Sequence, residues 1–338
     1  MLKRAFLLII LIVSLTAVVQ AQEPKPQIIE IGQQVSGNLA DISATNRYQF
    51  TAQEGDFLVI TMNAVVVGDM DSTVTVESSP ESGLYLYLYD DDSGGNYNSL
   101  LAMIVPQDGT YIVTAGTYSS GGGDYVLTVN RGTTMPLTFD TPVDVTFDVE
   151  HTSFYFIFTG KAGDVVNLSG NSAGEIDTRL EINDANGNQV GYDDDSGENF
   201  DPLITGAVLP ADGDYLVTLL PYTVPASGTV SILLTPSQTK SLDEGPQVFV
   251  LGDKRYEDVA SFEGVAGEQV RLSLTLQSGD VISPYLTLSQ GTDSFATLNA
   301  NNVQNLVFDV VVPADGQVIV RIENYVNATM ELTLERSQ

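Results

Sequence analysis

The stretch "VPQDGTYIVTAG", residues 105–116, returns as "LPADGDYLVTLL" at 209–220 and as "VPADGQVIVRIE" at 312–323. Val105 to Leu209 is a step of 104 residues, and Leu209 to Val312 is a step of 103. Asp-Gly after proline is turn chemistry, and the alternating residues behind it predict a strand. Upstream markers keep the same order: "FTAQEGDFLVITM" at 50–62, "FTGKAGDVVNLSG" at 158–170 and "FEGVAGEQVRLSL" at 262–274. Each copy closes on an alternating segment, "DYVLTVN" at 124, "TVSILLT" at 229 and "TMELTLE" at 329. Three tandem units follow, 27–131, 132–237 and 241–336, joined near Arg131–Pro136 and Pro236–Pro246. A period this long marks a domain repeat, not a solenoid.

Within a unit the dominant signal is alternation, as in "LYLYLY" at 84–89 and "FYFIF" at 154–158. Period two means strands, and turn residues arrive about every eight to twelve positions. No helical pattern appears after the N-terminal segment. The expected fold is all-β: three tandem antiparallel jelly-roll-like β-sandwiches, each burying one face of each sheet. Leu84, Leu86 and Leu88 are expected to face inward, as are Phe154, Phe156 and Phe158. In "DYLVTLL", Leu216 and Thr218 point to one face, and Val217 and Leu219 to the other.

Residues 1–21 read as a signal peptide. Lys3 and Arg4 precede the apolar run Phe6 to Val19, and Val19-Gln20-Ala21 has a small-residue cleavage pattern. A membrane span needs about 20 apolar residues, which this run lacks. The mature chain starts at Gln22, leaves the cytoplasm and contains no membrane-spanning helix. It is expected outside the cell, in the periplasm or at the cell surface, as a monomer. Without Lys3 and Arg4 the chain keeps 11 of its 13 basic residues against 44 acidic ones, a formal charge of −33. Such a surface repels nucleic acid and anionic lipid and attracts cations. With no cysteine, stability must come from burial, or from burial plus a bound metal.

The order of these motifs resembles the bacterial pre-peptidase C-terminal domain. In unit two the resemblance runs from Ala162-Gly163-Asp164 through Asp177-Thr178-Arg179-Leu180 and Asp193-Asp194-Asp195 to Gly213-Asp214-Tyr215. Unit one matches at Glu54-Gly55-Asp56, Asp71, Asp90-Asp91-Asp92 and Gly109-Thr110-Tyr111, with Val74 in place of Leu180. Unit three is degenerate: it keeps Ala266-Gly267-Glu268 and Asp315-Gly316, but has "LNANN" at 298–302 and Val318 instead of the tyrosine. The resemblance implies jelly-roll-like sandwiches carried on secreted proteases and other exported bacterial proteins. Such modules usually lie beside a catalytic domain, and none is recognisable here.

Two candidate sites stand out. "YDDDSG" occurs at 89–94 and again at 192–197. Hard cations take about six to eight oxygens, largely carboxylates and carbonyls. Calcium is therefore a candidate ligand of Asp90, Asp91 and Asp92 with Asp71, and of Asp193, Asp194 and Asp195 with Asp177. The alternation lets Asp90 and Asp92 converge, or turns the middle carboxylate inward instead. The competing reading is a solvated turn whose carboxylates cap backbone N–H groups. The second site is a stripe on unit one, Tyr85, Tyr87 and Tyr89, which faces away from the core if the leucines face in. It reads either as a cross-strand aromatic ladder or packing against a neighbouring loop, or as a contact surface for a partner or for unit two.

Catalytic signatures are missing. The single histidine, His151, sits at a strand start beside Glu150 and Thr152. The chain lacks a thiol nucleophile and an HExxH zinc motif, and "SSGGGD" at 119–124 precedes a strand, not a helix. A carboxylate pair for glycoside hydrolysis is possible in principle, but these carboxylates sit in turns, and the chain has no tryptophan to stack a sugar. The expected function is a secreted, non-catalytic binding or adhesion protein that contacts an extracellular polymer or protein. The alternative is a structural or accessory protein supporting exported hydrolases or the cell envelope.

Overall fold

A computed structural model of the chain describes residues 25–118, 121–237, 239–252, 257–291 and 293–336. The expected signal peptide lies outside them. The described chain is all-β apart from three short 3-10 turns, Pro80–Ser82, Glu198–Phe200 and Leu242–Glu244. No helix among the described residues is long and apolar enough to cross a membrane.

Unit one pairs two sheets. The five-stranded sheet runs, in spatial order, Gln27–Ile28, Asn46–Ala52, Gly109–Thr117, Ser72–Ser78, Tyr87–Asp90; the four-stranded sheet runs Gln34–Asn38, Asp124–Arg131, Phe57–Ala64, Ser99–Ile104. Units two and three repeat both sheets strand for strand. Three separate apolar cores result, from Ile29 to Val129, Leu137 to Leu234 and Leu242 to Leu332.

The repeated motifs clip each sandwich shut. The aspartate of the Asp-Gly turn, Asp108, Asp212 or Asp315, accepts through Oδ1 from the backbone N–H of Glu54, Ala162 or Ala266 at 2.8–2.9 Å. In unit one, Gly55 N donates to Val105 O and Val105 N to Asp56 O, both at 2.8 Å. Units two and three form the same pair, Gly163 N to Leu209 O with Leu209 N to Asp164 O, and Gly267 N to Val312 O with Val312 N to Glu268 O. The motif tyrosine is buried, and its hydroxyl donates to the carbonyl four residues earlier, Tyr111 to Gln107 and Tyr215 to Ala211, each at 2.7 Å. Such bonds satisfy polar groups that burial would otherwise strand, at a cost of about 1–3 kcal/mol each. Val318 has no hydroxyl to satisfy and only fills the core of unit three.

Several side-chain orientations depart from simple alternation. Leu86 is buried, but Leu84 and Leu88 are only half-buried. Phe156 and Phe158 are core residues, whereas Phe154 is half-buried at the strand end. In the strand Gly213–Pro221 every residue from Tyr215 onward is buried, so Leu216, Thr218 and Leu220 are covered along with Val217 and Leu219. A second layer causes this: unit one docks against the outer face of the five-stranded sheet of unit two. Leu88 reaches Gly187, where an added Cβ would meet Leu88 Cδ2 at 2.2 Å. Phe57 and Tyr155 bring their rings to 5.1 Å, and Arg179 Nη2 donates to Ser93 Oγ at 2.9 Å.

Unit two docks on unit three in the same sense. Arg321 donates to the carbonyls of Thr205 at 3.1 Å and Gly206 at 2.8 Å and pairs with Glu257. Gly206, at φ +67°, lies against Val259, where a Cβ would meet Val259 Cγ1 at 2.4 Å. Burial pushes the Glu257 carboxyl up to about 7, outweighing the attraction of Arg321. The expected linkers are also partly sheet: Met135–Pro136 pairs with Phe154–Gly160, and Lys240–Ser241 pairs with Glu257–Gly264, both in parallel.

Replacing Arg321 by Ala leaves the Thr205 and Gly206 carbonyls without their donor. Small-angle scattering of the R321A chain is expected to give a larger maximum dimension than wild type, with an unchanged strand signal in circular dichroism. Equal dimensions would show that the apolar contacts alone hold units two and three together.

Candidate functional site: a repeated end of tyrosines and carboxylates

The acidic loops join the outer strand of one sheet to the outer strand of the other. The first aspartate builds the turn. Asp90 Oδ2 accepts from Ser93 N at 3.3 Å and Leu100 N at 2.7 Å; Asp193 Oδ2 accepts from Ser196 N at 3.0 Å and Leu203 N at 2.7 Å. The Ser196 hydroxyl also donates to Asp193. Glycine closes the turn, because a Cβ on Gly94 would lie 2.8 Å from Asn98 O and one on Gly197 2.5 Å from Asp201 O. Burial pushes the Asp90 carboxyl up to about 6, against the pull of its hydrogen bonds to Ser93 and Leu100.

The other carboxylates stand outside this turn. Asp92 and Asp195 are exposed, and Asp91 and Asp194 are half-buried. Their electrostatic neighbours include the aspartates that precede the strands Ser72–Ser78 and Thr178–Asn183. Asp92 is raised by burial, then by Asp91 and Asp71; Asp195 is raised by burial, then by Asp194, Asp177 and Asp193. Asp177 is raised by burial and then by Asp194. These repulsions are the kind a divalent cation relieves. Even so, no three His, Cys, Asp or Glu side chains among the described residues converge closely enough to hold one. Asp90 and Asp193 have their carboxylates on amide N–H groups, beneath the loop and not on its outer side.

Tyrosines share this end. Tyr89 Oη donates to Asp91 Oδ2 at 3.4 Å, and burial, followed by the Asp91 charge, pushes its hydroxyl up to about 12. Tyr118 and Asp71 are among its electrostatic neighbours. Unit two repeats the group: Tyr192 is raised by burial and then by Asp194, with Tyr222 nearby. Tyr118 N donates to Asp71 O, and Tyr222 N to Asp177 O, both at 2.9 Å. Tyr118, Tyr222 and their counterpart Tyr325 are 64%, 58% and 60% exposed. One more aromatic per loop is held out in a rare conformation. Asn96-Tyr97 have φ of 54° and 62°, and Asn199-Phe200 have 58° and 63°. A left-handed pair ending in a bulky residue is strained, and Tyr97 and Phe200 are both exposed.

Sequence reasoning missed Tyr97, Tyr118, Phe200 and Tyr222. The signal was available: an Asn-aromatic pair and a lone tyrosine recur at the domain period. Tyr85, Tyr87 and Tyr89 are all exposed. Opposite Tyr87 and Tyr89 on the neighbouring strand stand Glu77 and Thr75, so the cross-strand partners are not aromatic. Tyr87 and Tyr89 instead line a cleft facing unit two. Unit three keeps Asn302 at φ 54° but carries no acidic loop. His151 is exposed, with Nδ1 2.9 Å from Asp148 Oδ1 and its ring stacked on Phe154.

Asp90 makes stability depend on pH. Its folded-state pKa is raised, so between about pH 4 and 6 the native chain binds the proton more tightly than the unfolded chain does. Stability therefore falls as pH rises through that window. Urea denaturation at pH 4.5 and 7.5 is expected to show Asp90→Asn, which keeps an oxygen for the Ser93 and Leu100 amides, shrinking this pH difference by about 1–3 kcal/mol. An unchanged difference would mean that Asp90 is solvated as freely as in the unfolded chain.

No protein-family model matches this chain, and no curated protein matches it. Among solved structures it is similar to the pre-peptidase C-terminal domain of a collagenase from Bacillus anthracis, at 18% identity and a TM-score of 0.27, covering 32% of this chain and 97% of that one. It is similar to the secreted serine protease VesC from Vibrio cholerae at 9% identity and a TM-score of 0.23, covering 82% and 99%. It is also similar to the triple jelly roll turret protein of an archaeal virus at 11% identity and a TM-score of 0.21, covering 91% and 82%.

Proposed function

We propose that the chain is an exported, non-catalytic binding protein, built of units like the pre-peptidase C-terminal domain, whose first two units grip an extracellular polymer or protein with their tyrosine and carboxylate ends. The observation that carries this reading is the recurrence of Tyr89, Tyr118, Asp71 and Asp91 as Tyr192, Tyr222, Asp177 and Asp194, with Tyr97 and Phe200 held out beside them. Exposed tyrosine rings offer flat apolar contact at low entropic cost, and carboxylates accept hydrogen bonds from hydroxyl or amide donors. The strong negative charge excludes anionic polymers, so the partner is neutral or basic. Replacing Tyr118 and Tyr222 together by Ala is expected to abolish retention on a panel of immobilised neutral glycans and matrix proteins, with the melting temperature within about 2 °C of wild type because both rings are exposed. Unchanged retention on every surface that holds the wild type would refute the assignment of this end.

A second reading, a spacer or accessory protein, draws on the docked joints, where Tyr155 and Arg179 meet unit one and Arg321 meets unit two. It predicts no retention by any polymer and a single rod-like conformation in solution.

Calcium belongs to the first reading through Asp71, Asp91 and Asp92 in unit one and Asp177, Asp194 and Asp195 in unit two, whose side chains must rotate to converge on an ion. Millimolar calcium is then expected to raise the melting temperature by mass action, and Asp71→Asn with Asp177→Asn to cancel the rise. A calorimetric scan identical with and without calcium would remove the ion from this reading.

A further inference from the structure

The two joints enclose matching clefts. One wall comes from the acidic-loop side of the leading unit: Tyr89, Asp90, Ser93 and Leu100 in the first joint, and Tyr192, Asp193, Ser196 and Leu203 in the second. The pairing registers make these positions equivalent, since Tyr89 and Asp90 stand opposite Thr75 and Val74 as Tyr192 and Asp193 stand opposite Glu181 and Leu180. The opposite wall is the outer sheet face of the following unit. The central strands of that face, Gly213–Pro221 and Gly316–Glu323, place Thr218 and Arg321 at the same position, five residues after their glycines.

The clefts differ in what fills them. In the second joint Arg321 enters, and its guanidinium meets two carbonyls and the Glu257 carboxylate. In the first joint Thr218 is too short to enter, and the cleft widens from about 170 to about 270 Å³. Among the described residues, no lysine, arginine or histidine lines it. Its polar lining is made of acceptors and amphipathic groups: the carboxylates of Asp90 and Glu181, the rings of Tyr87 and Tyr89, and the amides of Asn183 and Gln189. The Glu181 side chain forms no hydrogen bond or ion pair among the described residues. Arg179, which unit two also contributes to this joint, donates to Ser93 Oγ and is not among the lining residues.

We propose that the cleft between units one and two is a binding site for a guanidinium group from outside the unit, an arginine side chain of a partner, taking the place that Arg321 fills in the second joint. The Glu181 carboxylate supplies a charge-assisted acceptor in a setting partly screened from water, and Asp90, held by the Ser93 and Leu100 amides, adds negative charge beside it. Tyrosine faces add cation–π attraction, and the net charge of the chain draws cations toward it. Ligand sites also favour domain interfaces of this kind. Tyr89 borders both this cleft and the proposed gripping end, but Glu181 and Thr218 line the cleft whereas Tyr118 and Tyr222 do not, so variants at these positions test the two assignments separately.

The test is a titration of the mature chain, followed by NMR chemical shifts, with N-acetyl-arginine N-methylamide and with its citrulline analogue, in which a neutral urea replaces the guanidinium. The arginine compound is expected to shift signals of residues 87–102 and 181–189. The citrulline compound should bind at least about 10-fold more weakly, the scale set by one charge-assisted hydrogen bond. Glu181→Gln is expected to weaken the arginine compound by about 5–10-fold with an unchanged melting temperature. Thr218→Arg should abolish binding by filling the cleft from within. Equal affinity for the two compounds, shifts confined to other residues, no shift by either, or no effect of Glu181→Gln would each overturn the proposal.

Discussion

The strand Gly213–Pro221 lies between two packed layers. Val217 and Leu219 belong to the core of unit two, while Leu216 and Leu220 are buried on the opposite side, where unit one sits. A fully buried leucine or valine contributes roughly 1.5–3 kcal/mol relative to an exposed one. Docking thus adds a second apolar layer to a sheet that is already stable on its inner face. Tyr155 shows the same demand: it is only 7% exposed, and its ring lies 5.1 Å from that of Phe57 in unit one.

Unit one shows the same face where no other unit among the described residues covers it. Arg47 stands at the position of Tyr155, and Gly116 at that of Leu220. Thr73 and Thr75 replace Arg179 and Glu181. At these positions the face is more polar than in unit two, which presents Tyr155 and Leu220 to unit one. The joint chemistry also differs along the chain, with aromatic and leucine contacts in the first joint and the Arg321 clamp in the second. That difference leaves one cleft open and the other plugged.

The acidic loops combine two roles that one run of aspartates disguises. Asp90 and Asp193 are turn builders, held by amide N–H groups under the loop. Asp91 and Asp194 face the tyrosines, and Asp71 and Asp177 pin the neighbouring loop through their carbonyls. A loop so constrained keeps its outer carboxylates close together despite their repulsion, and it does so beside exposed aromatic rings. The strained Asn96-Tyr97 and Asn199-Phe200 pairs belong to the same construction.

Much of this was legible in the residues alone. The period of 103–104 positions, the Asp-Gly turns and the two-residue alternation determine three all-β units, because turn chemistry and side-chain period act locally. The repeated Gly-Asp and Pro-x-Asp-Gly segments already marked the strand ends that the clips join. The exposed face of "LYLYLY" was readable as well, since a strand has only two faces. The burial of Leu216 and Leu220, the half-burial of Leu88 and the fate of Arg321 were decided by tertiary structure. Alternation tells which residues share a face, but not whether a neighbouring unit covers it. The roles within "YDDDSG" were hidden for a related reason: three identical carboxylates differ only in which amide, ring or solvent each one meets, and those partners come from loops that meet only once the sandwich closes.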